Sequence, residues 1–148
     1  MNPGMALGAN QKMDLLKHAP LFAHCSKQEL QRIAGIADQL DVRDGKVLIQ
    51  EGERGREFFV IVEGEVEVRR KGKKVKTLGP GSFVGEIALL SKIPRVATVT
   101  AIEPTSVLVI TDRAFMDLCE KSPSIAVKVA RTLADRVGEN ELSDRAPS

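Results

Sequence analysis

Between Asp38 and Thr111 the chain alternates short apolar runs with turn residues, and that rhythm leaves few folds open. The runs at 40–42, 47–50, 58–63, 65–70, 75–78, 96–102 and 107–111 are apolar, β-branched or alternating. Asp44-Gly45, Gly52-Glu53-Arg54-Gly55, Glu63-Gly64, Gly72 and Gly79-Pro80-Gly81 separate them. Such residues end strands because they adopt the φ values of tight turns or lack the ladder donor. Strands this short and closely spaced suggest a sandwich or barrel rather than a parallel sheet.

One stretch in this region carries chemistry: Gly85-Glu86-Ile87-Ala88-Leu89-Leu90-Ser91-Lys92-Ile93-Pro94-Arg95-Val96-Ala97-Thr98. Residues 86–90 are too few and too apolar for a surface loop and read as one helical turn. Gly85 sits just before it, where a backbone must bend or approach something closely. The first amides of such a turn point outward unpaired and suit an anion. Ala88 keeps that mouth open. Pro94 fixes the backbone before Arg95, whose planar fork matches a phosphate. A β-branched strand at 96–102 would then place Arg95 at its first residue. On residue types alone, a buried Glu86–Arg95 ion pair is an equal reading.

The spacing separates the two. Phe83-Val84-Gly85-Glu86-Ile87-Ala88-Leu89 followed by Pro94-Arg95-Val96-Ala97-Thr98 closely resembles the phosphate-binding cassette of cyclic nucleotide-binding domains. That family includes regulatory subunits of cyclic-nucleotide-dependent kinases, cyclic-nucleotide-gated channels and catabolite-activator-type bacterial regulators. The glycine, the acid, the alanine and the Pro-Arg pair all fall at the family's spacing. Residues 48–52 and 58–68 also look like its third-to-fourth-strand signature, and the resemblance spreads over roughly residues 12–138. It implies a mainly β fold with flanking helices: a jelly-roll-like β-roll at 38–111, N-terminal helices at 11–37, and C-terminal hinge and lid helices at 112–138. Residues 1–10 are expected to be a disordered lead-in and 139–148 a loose tail.

The resemblance also implies a ligand, cAMP or cGMP, and a site made of Gly85, Glu86, Ile87, Ala88, Arg95, Val96 and Ala97. Arg95 would pair with the exocyclic phosphate, helped by the amides of Ala88 and Val96. Glu86 would accept the ribose 2′-hydroxyl, with the Gly85 backbone against the sugar. Guanine-selective relatives resemble one another in carrying a threonine where this chain has Val96, which favours cAMP. Arg136 matches by position a lid arginine over the base, with Arg131 as the fallback; an ordinary solvated helix residue is an equal reading of Arg136.

Outside the roll the signals are local. Residues 11–18 read as a short helix before Pro20. Ser26-Lys27-Gln28-Glu29 is a capping box opening a second helix to about Ala37. Asp112 can cap a third, reaching about Lys121, and Ser122-Pro123 opens a fourth, which Gly138 can end. Cys25 and Cys119, far apart and without CxxC spacing, read as reduced thiols in a cytoplasmic protein. His18, His24 and Cys25 lack a fourth ligand and regular spacing, so neither a metal nor any cofactor is expected. No apolar run approaches the ~18 residues of a membrane span.

Twenty-two basic against 20 acidic residues leave a formal +2. That balance does not call for nucleic acid as a direct partner. Arg69-Arg70-Lys71-Gly72-Lys73-Lys74 is a dense basic run whose default is a solvated hairpin tip, with an acidic partner or nucleic acid as the alternative. Catalysis is not expected, since metal ligands, a nucleophile with its base and paired carboxylates are all missing from the pattern. The expected role is a regulatory sensor, monomeric or weakly dimeric, signalling to a protein effector not identified by the sequence. The chain reads as a stand-alone bacterial-type domain or the sensor part of a larger regulator or channel. Its rival is an interaction module that keeps the fold and ignores nucleotides; such relatives typically lose the acid or the arginine.

Overall fold

Phe58-Phe59-Val60-Ile61-Val62 is apolar without a break, and a strand of that kind needs cover on both faces. In the computed structural model, which describes residues 6–145, strand β3 (Glu57–Glu63) has that cover. Its side chains divide with period two between two cores. Phe58, Val60 and Val62 pack with the helices, whereas Phe59 and Ile61 enter the interior of the roll. Strand β8 (Thr105–Thr111) is divided likewise, with Leu108 and Ile110 on the helical side and Val107 inside.

These two strands are the centre of one sheet, ordered β1 (Asp38–Val42), β8, β3, β6 (Phe83–Val84). The second sheet runs β2 (Val47–Ile49), β7 (Thr98–Ala101), β4 (Val66–Arg70), β5 (Lys73–Leu78). Every pairing is antiparallel. The result is three layers: helices, first sheet, second sheet, with the expected β-roll as the lower two. The two-residue β6 was not anticipated, because a pair of residues carries no periodicity.

Strand β7 begins at Thr98, so Arg95 is not at a strand's first residue as expected. Its backbone is fixed sideways instead. Gly52 N–H donates to Arg95 O (2.8 Å) and Arg95 N–H donates to Glu53 O (2.8 Å), beside a bridge between Arg54 and Pro94. The 52–55 turn thus replaces the strand as the base for Arg95.

The helical layer comprises α1 (Ala9–Leu16), a 3-10 turn at Pro20–Phe22, α2 (Lys27–Gly35), α3 (Asp112–Lys121) and α4 (Pro123–Arg145). Phe22 meets Phe58 edge-on and Phe115 at a tilt, both with ring centroids 6.0 Å apart, which joins helices to sheet. The capping box forms: Glu29 N–H donates to Ser26 Oγ (3.2 Å) and Ser26 N–H to Glu29 Oε1 (2.7 Å). Three expectations need correction. Helix α1 starts at Ala9, inside the supposed lead-in, because Gln11 Oε1 takes the Gly8 amide at 2.8 Å; residues 1–5 lie outside the described residues. Thr111, not Asp112, caps α3, its hydroxyl accepting from Ala114 N–H. Gly138 does not end α4, which continues through residues 139–145 of the supposed tail. A glycine inside a helix costs only about 1 kcal/mol relative to alanine, and the next proline is Pro147. Residues 146–148 lie outside the described residues.

Glu29 does more than cap. Buried at the top of α2, it also accepts from Ser124 Oγ (2.5 Å) and Lys128 Nζ (2.5 Å), both on α4. The lysine, then Ser124 and the Ser26 amide, hold its carboxyl down at about 2. Arg32 of α2 adds a bond to Ser122 Oγ at 2.8 Å. The first turns of α4 are therefore fastened to α2.

Candidate ligand-binding site

Gly85 has φ +83°, a left-handed conformation, and a Cβ there would lie 2.8 Å from Glu57 O and 2.5 Å from Arg95 Nη1. Both the bend and the close approach demand glycine. The 3-10 turn Glu86–Leu89 follows it, which is the single helical turn expected. One detail differs. The Ala88 amide already donates to Gly85 O at 3.0 Å, whereas among the described residues no backbone hydrogen bond engages the Val96 amide.

Arg95 does not pair with Glu86. Its Nη2 donates to Glu57 O at 2.5 Å and Nη1 makes a long contact with Gly85 O at 3.5 Å. The guanidinium is also pressed against Gly55, where a Cβ would come within 2.6 Å of Cζ. Burial pulls the Arg95 pKa below its usual value, opposed by the charge of Glu57. A guanidinium held only by carbonyl oxygens keeps its full charge and has N–H groups to spare.

Glu86 is the other half of the site. Its Oε1 accepts from Arg136 Nη1 of α4 at 2.7 Å, and its Oε2 is buried without any partner among the described residues. An orphaned carboxylate oxygen away from water is costly.

These groups surround a cavity of about 720 Å³. Of the expected site residues, Gly85, Glu86, Ile87, Ala88, Arg95, Val96 and Ala97 all line it. Arg136 does not: it reaches the site only through Glu86, and Arg131 is exposed on α4. Sequence reasoning missed the opposite wall. Ile49, Val68, Leu78 and Val99 of the second sheet make it apolar, and Lys76 adds a cation at one side. It also missed Gly55, whose φ is not left-handed and whose small size serves the guanidinium rather than a turn. The inward alternation Val66, Val68 on β4 was the available signal for that wall.

The family model for the cyclic nucleotide-binding domain matches residues 39–122, more than half of the chain. A putative potassium channel protein of Rhodopseudomonas palustris is 32% identical over 137 residues, covering 88% of this chain and 33% of that protein. A cAMP-dependent protein kinase regulatory subunit of Mycosarcoma maydis is 42% identical over 115 residues, covering 70% of this chain and 21% of that protein. The chain therefore spans a third or less of the length of these two relatives. Among solved structures, the N-terminal domain of a transcriptional regulator from Streptomyces coelicolor superposes with a TM-score of 0.82 at 25% identity, covering 91% of this chain and 98% of the other.

Proposed function

Because this chain belongs to the cyclic nucleotide-binding domain family, we propose that its cavity holds a cyclic nucleotide, cAMP in preference to cGMP, and that occupancy is signalled through α4. The observation that carries this reading is the buried, donorless Glu86 Oε2. A ribose 2′-hydroxyl supplies the missing donor, while Oε1 stays with Arg136. The single negative charge of the exocyclic phosphate then sits before Arg95, using its spare N–H groups and the unengaged Val96 amide. The Ala88 amide joins by sharing its hydrogen between Gly85 O and a phosphate oxygen, as helix-terminal amides often do. The base lies along the apolar wall from the second sheet.

The lining's charged groups are Glu86 and the cations Lys76 and Arg95. A lone carboxylate among cations suits capture of an anion better than bond cleavage, so the site is read as binding rather than catalytic. Val96, 64% exposed at the rim, has no hydroxyl for the guanine 2-amino group, which is the basis for preferring cAMP.

Signalling follows from one carboxylate serving two masters. Ligand on Oε2 and α4 on Oε1 share Glu86, so occupancy changes how firmly Arg136, and with it the later turns of α4, is held. An effector protein would read that position. Calorimetric titration of nucleotide-stripped protein tests the binding: one-to-one binding, tighter for cAMP, is expected. No heat with either nucleotide would sink the reading. A Val96→Thr variant is expected to gain affinity for cGMP, and amide exchange in residues 112–138 is expected to slow when ligand is added.

A further inference from the structure

Residues 69–76 contain six cations, Arg69, Arg70, Lys71, Lys73, Lys74 and Lys76, and no acid. With these set aside, the rest of the chain has 16 basic against 20 acidic residues and is net negative by four. The near-neutral total is thus the sum of a strongly positive hairpin and a negative body. Every residue from Arg69 to Thr77 is exposed, and the hairpin tip has no neighbour within 4 Å of where a Gly72 Cβ would stand.

Local stability is sacrificed to assemble this charge. Arg70 faces Lys73 and Arg69 faces Lys74 across the ladder, and like charges directly opposite are unfavourable. Lys71 takes φ +52° ahead of Gly72 at +79°, the geometry of a primed two-residue turn whose first position favours Asn or Asp. Of these six, among the described residues, only Arg69 has a carboxylate partner, Glu67; Glu51 accepts from the Lys71 amide, not its ammonium. Among the described residues the other five side-chain cations have no ion pair. Lysines on an edge strand do guard it against pairing, and β5 is an edge. That role leaves Arg69 and Arg70 unexplained, since they lie on β4, and Lys71 too, since it lies in the turn.

We propose that the tip of the β4–β5 ribbon docks into double-stranded DNA through its phosphates, without regard to sequence. Adjacent strand residues point to opposite faces, so Arg69 with Arg70 and Lys73 with Lys74 put cations on both faces of the ribbon. A flat anionic surface would meet one face. A major groove about 12 Å wide admits a two-stranded ribbon and presents phosphates along both walls. The negative body, repelled, leaves the tip as the contact.

Fluorescence anisotropy of the full chain with a labelled duplex of arbitrary sequence tests this. Micromolar binding is expected at roughly 50 mM salt, with a log–log salt slope of about −3.6 for the four unpaired cations of the tip, Arg70, Lys71, Lys73 and Lys74, since Lys76 lies in the cavity wall. Lys73→Ala with Lys74→Ala is expected to weaken binding at least tenfold and to flatten that slope by about 2. Neither lysine lines the cavity, so an unchanged nucleotide titration, with a thermal midpoint equal to or above that of the wild type because two like-charge pairs are relieved, shows that the double variant is folded. Absence of duplex binding at low salt, an unchanged slope in the double variant, or tighter binding to phosphatidylglycerol vesicles than to the duplex would each overturn the proposal.

Discussion

Two glutamates reach the same helix and are treated in opposite ways. Glu29 pairs with Lys128 and Glu86 with Arg136, eight residues further along α4, or about 12 Å. Glu29 is satisfied on both oxygens: the Ser26 amide and Lys128 on one, Ser124 on the other. Glu86 has one donor and one buried, empty oxygen. A carboxylate whose acceptors are all filled by its own chain is a fastening. One left incomplete, next to a cavity with a charged guanidinium, is the acceptor to which the proposed function assigns a ligand hydroxyl. Helix α4 therefore has one fully satisfied pin near its start and a second beyond it, which the proposed function makes conditional on ligand.

The sharpest way to break that comparison is to remove each partner in the binding half. Arg95→Ala or Glu86→Ala is expected to cost 2–5 kcal/mol in nucleotide affinity, roughly thirtyfold to several thousandfold. The Glu86 change should cost little thermal stability, because it also removes an unsatisfied buried oxygen. Retained affinity in both variants would end the assignment of these residues.

Glu29→Gln should behave in the reverse manner. It leaves Lys128 without its charged acceptor and is expected to lower unfolding stability by about 2 kcal/mol, with nucleotide affinity changed less than threefold. The same pin has a pH signature. Its carboxyl titrates near 2 in the folded protein against 4.5 ordinarily, so its stabilisation is complete above pH 4.5 and disappears as pH falls towards 2. Comparing thermal midpoints of wild type and Glu29→Gln isolates this carboxyl from all others: the gap between them should be widest above pH 5 and close through that window. A gap that does not depend on pH would show that Glu29 acts through packing rather than charge.

How each glutamate could be read from sequence was different too. Ser26-Lys27-Gln28-Glu29 announces a capping box, because capping is local, but the reach to Ser124 and Lys128 spans 95 and 99 residues and no spacing encodes it. The seven expected cassette residues, Glu86 among them, are nearly contiguous in sequence, and all seven line the cavity. Arg136 was placed over the base by position alone, whereas its partner is Glu86. The strands were visible through period-two alternation and turn residues, yet β6 was too short to show it and Val96-Ala97, though β-branched and small, is drawn off the ladder by the 52–54 turn. The basic run at 69–74 is visible in the sequence, but the formal +2 total conceals that the rest of the chain is net negative.

The smallest effect expected is also the one that distinguishes a pin from a competitor. Arg136 is partly exposed, so its bond to Glu86 is screened and deserves no more than about 1 kcal/mol. If Arg136 steadies Glu86 Oε1 while Oε2 takes the ribose, Arg136→Gln should weaken cAMP binding by no more than about fivefold, with stability lowered by no more than about 1 kcal/mol, and amide exchange should quicken only in α4 beyond Thr132. If instead the arginine blocks the carboxylate, the same variant will bind cAMP more tightly. The sign of that change decides whether the conditional pin is fastened by ligand or released by it.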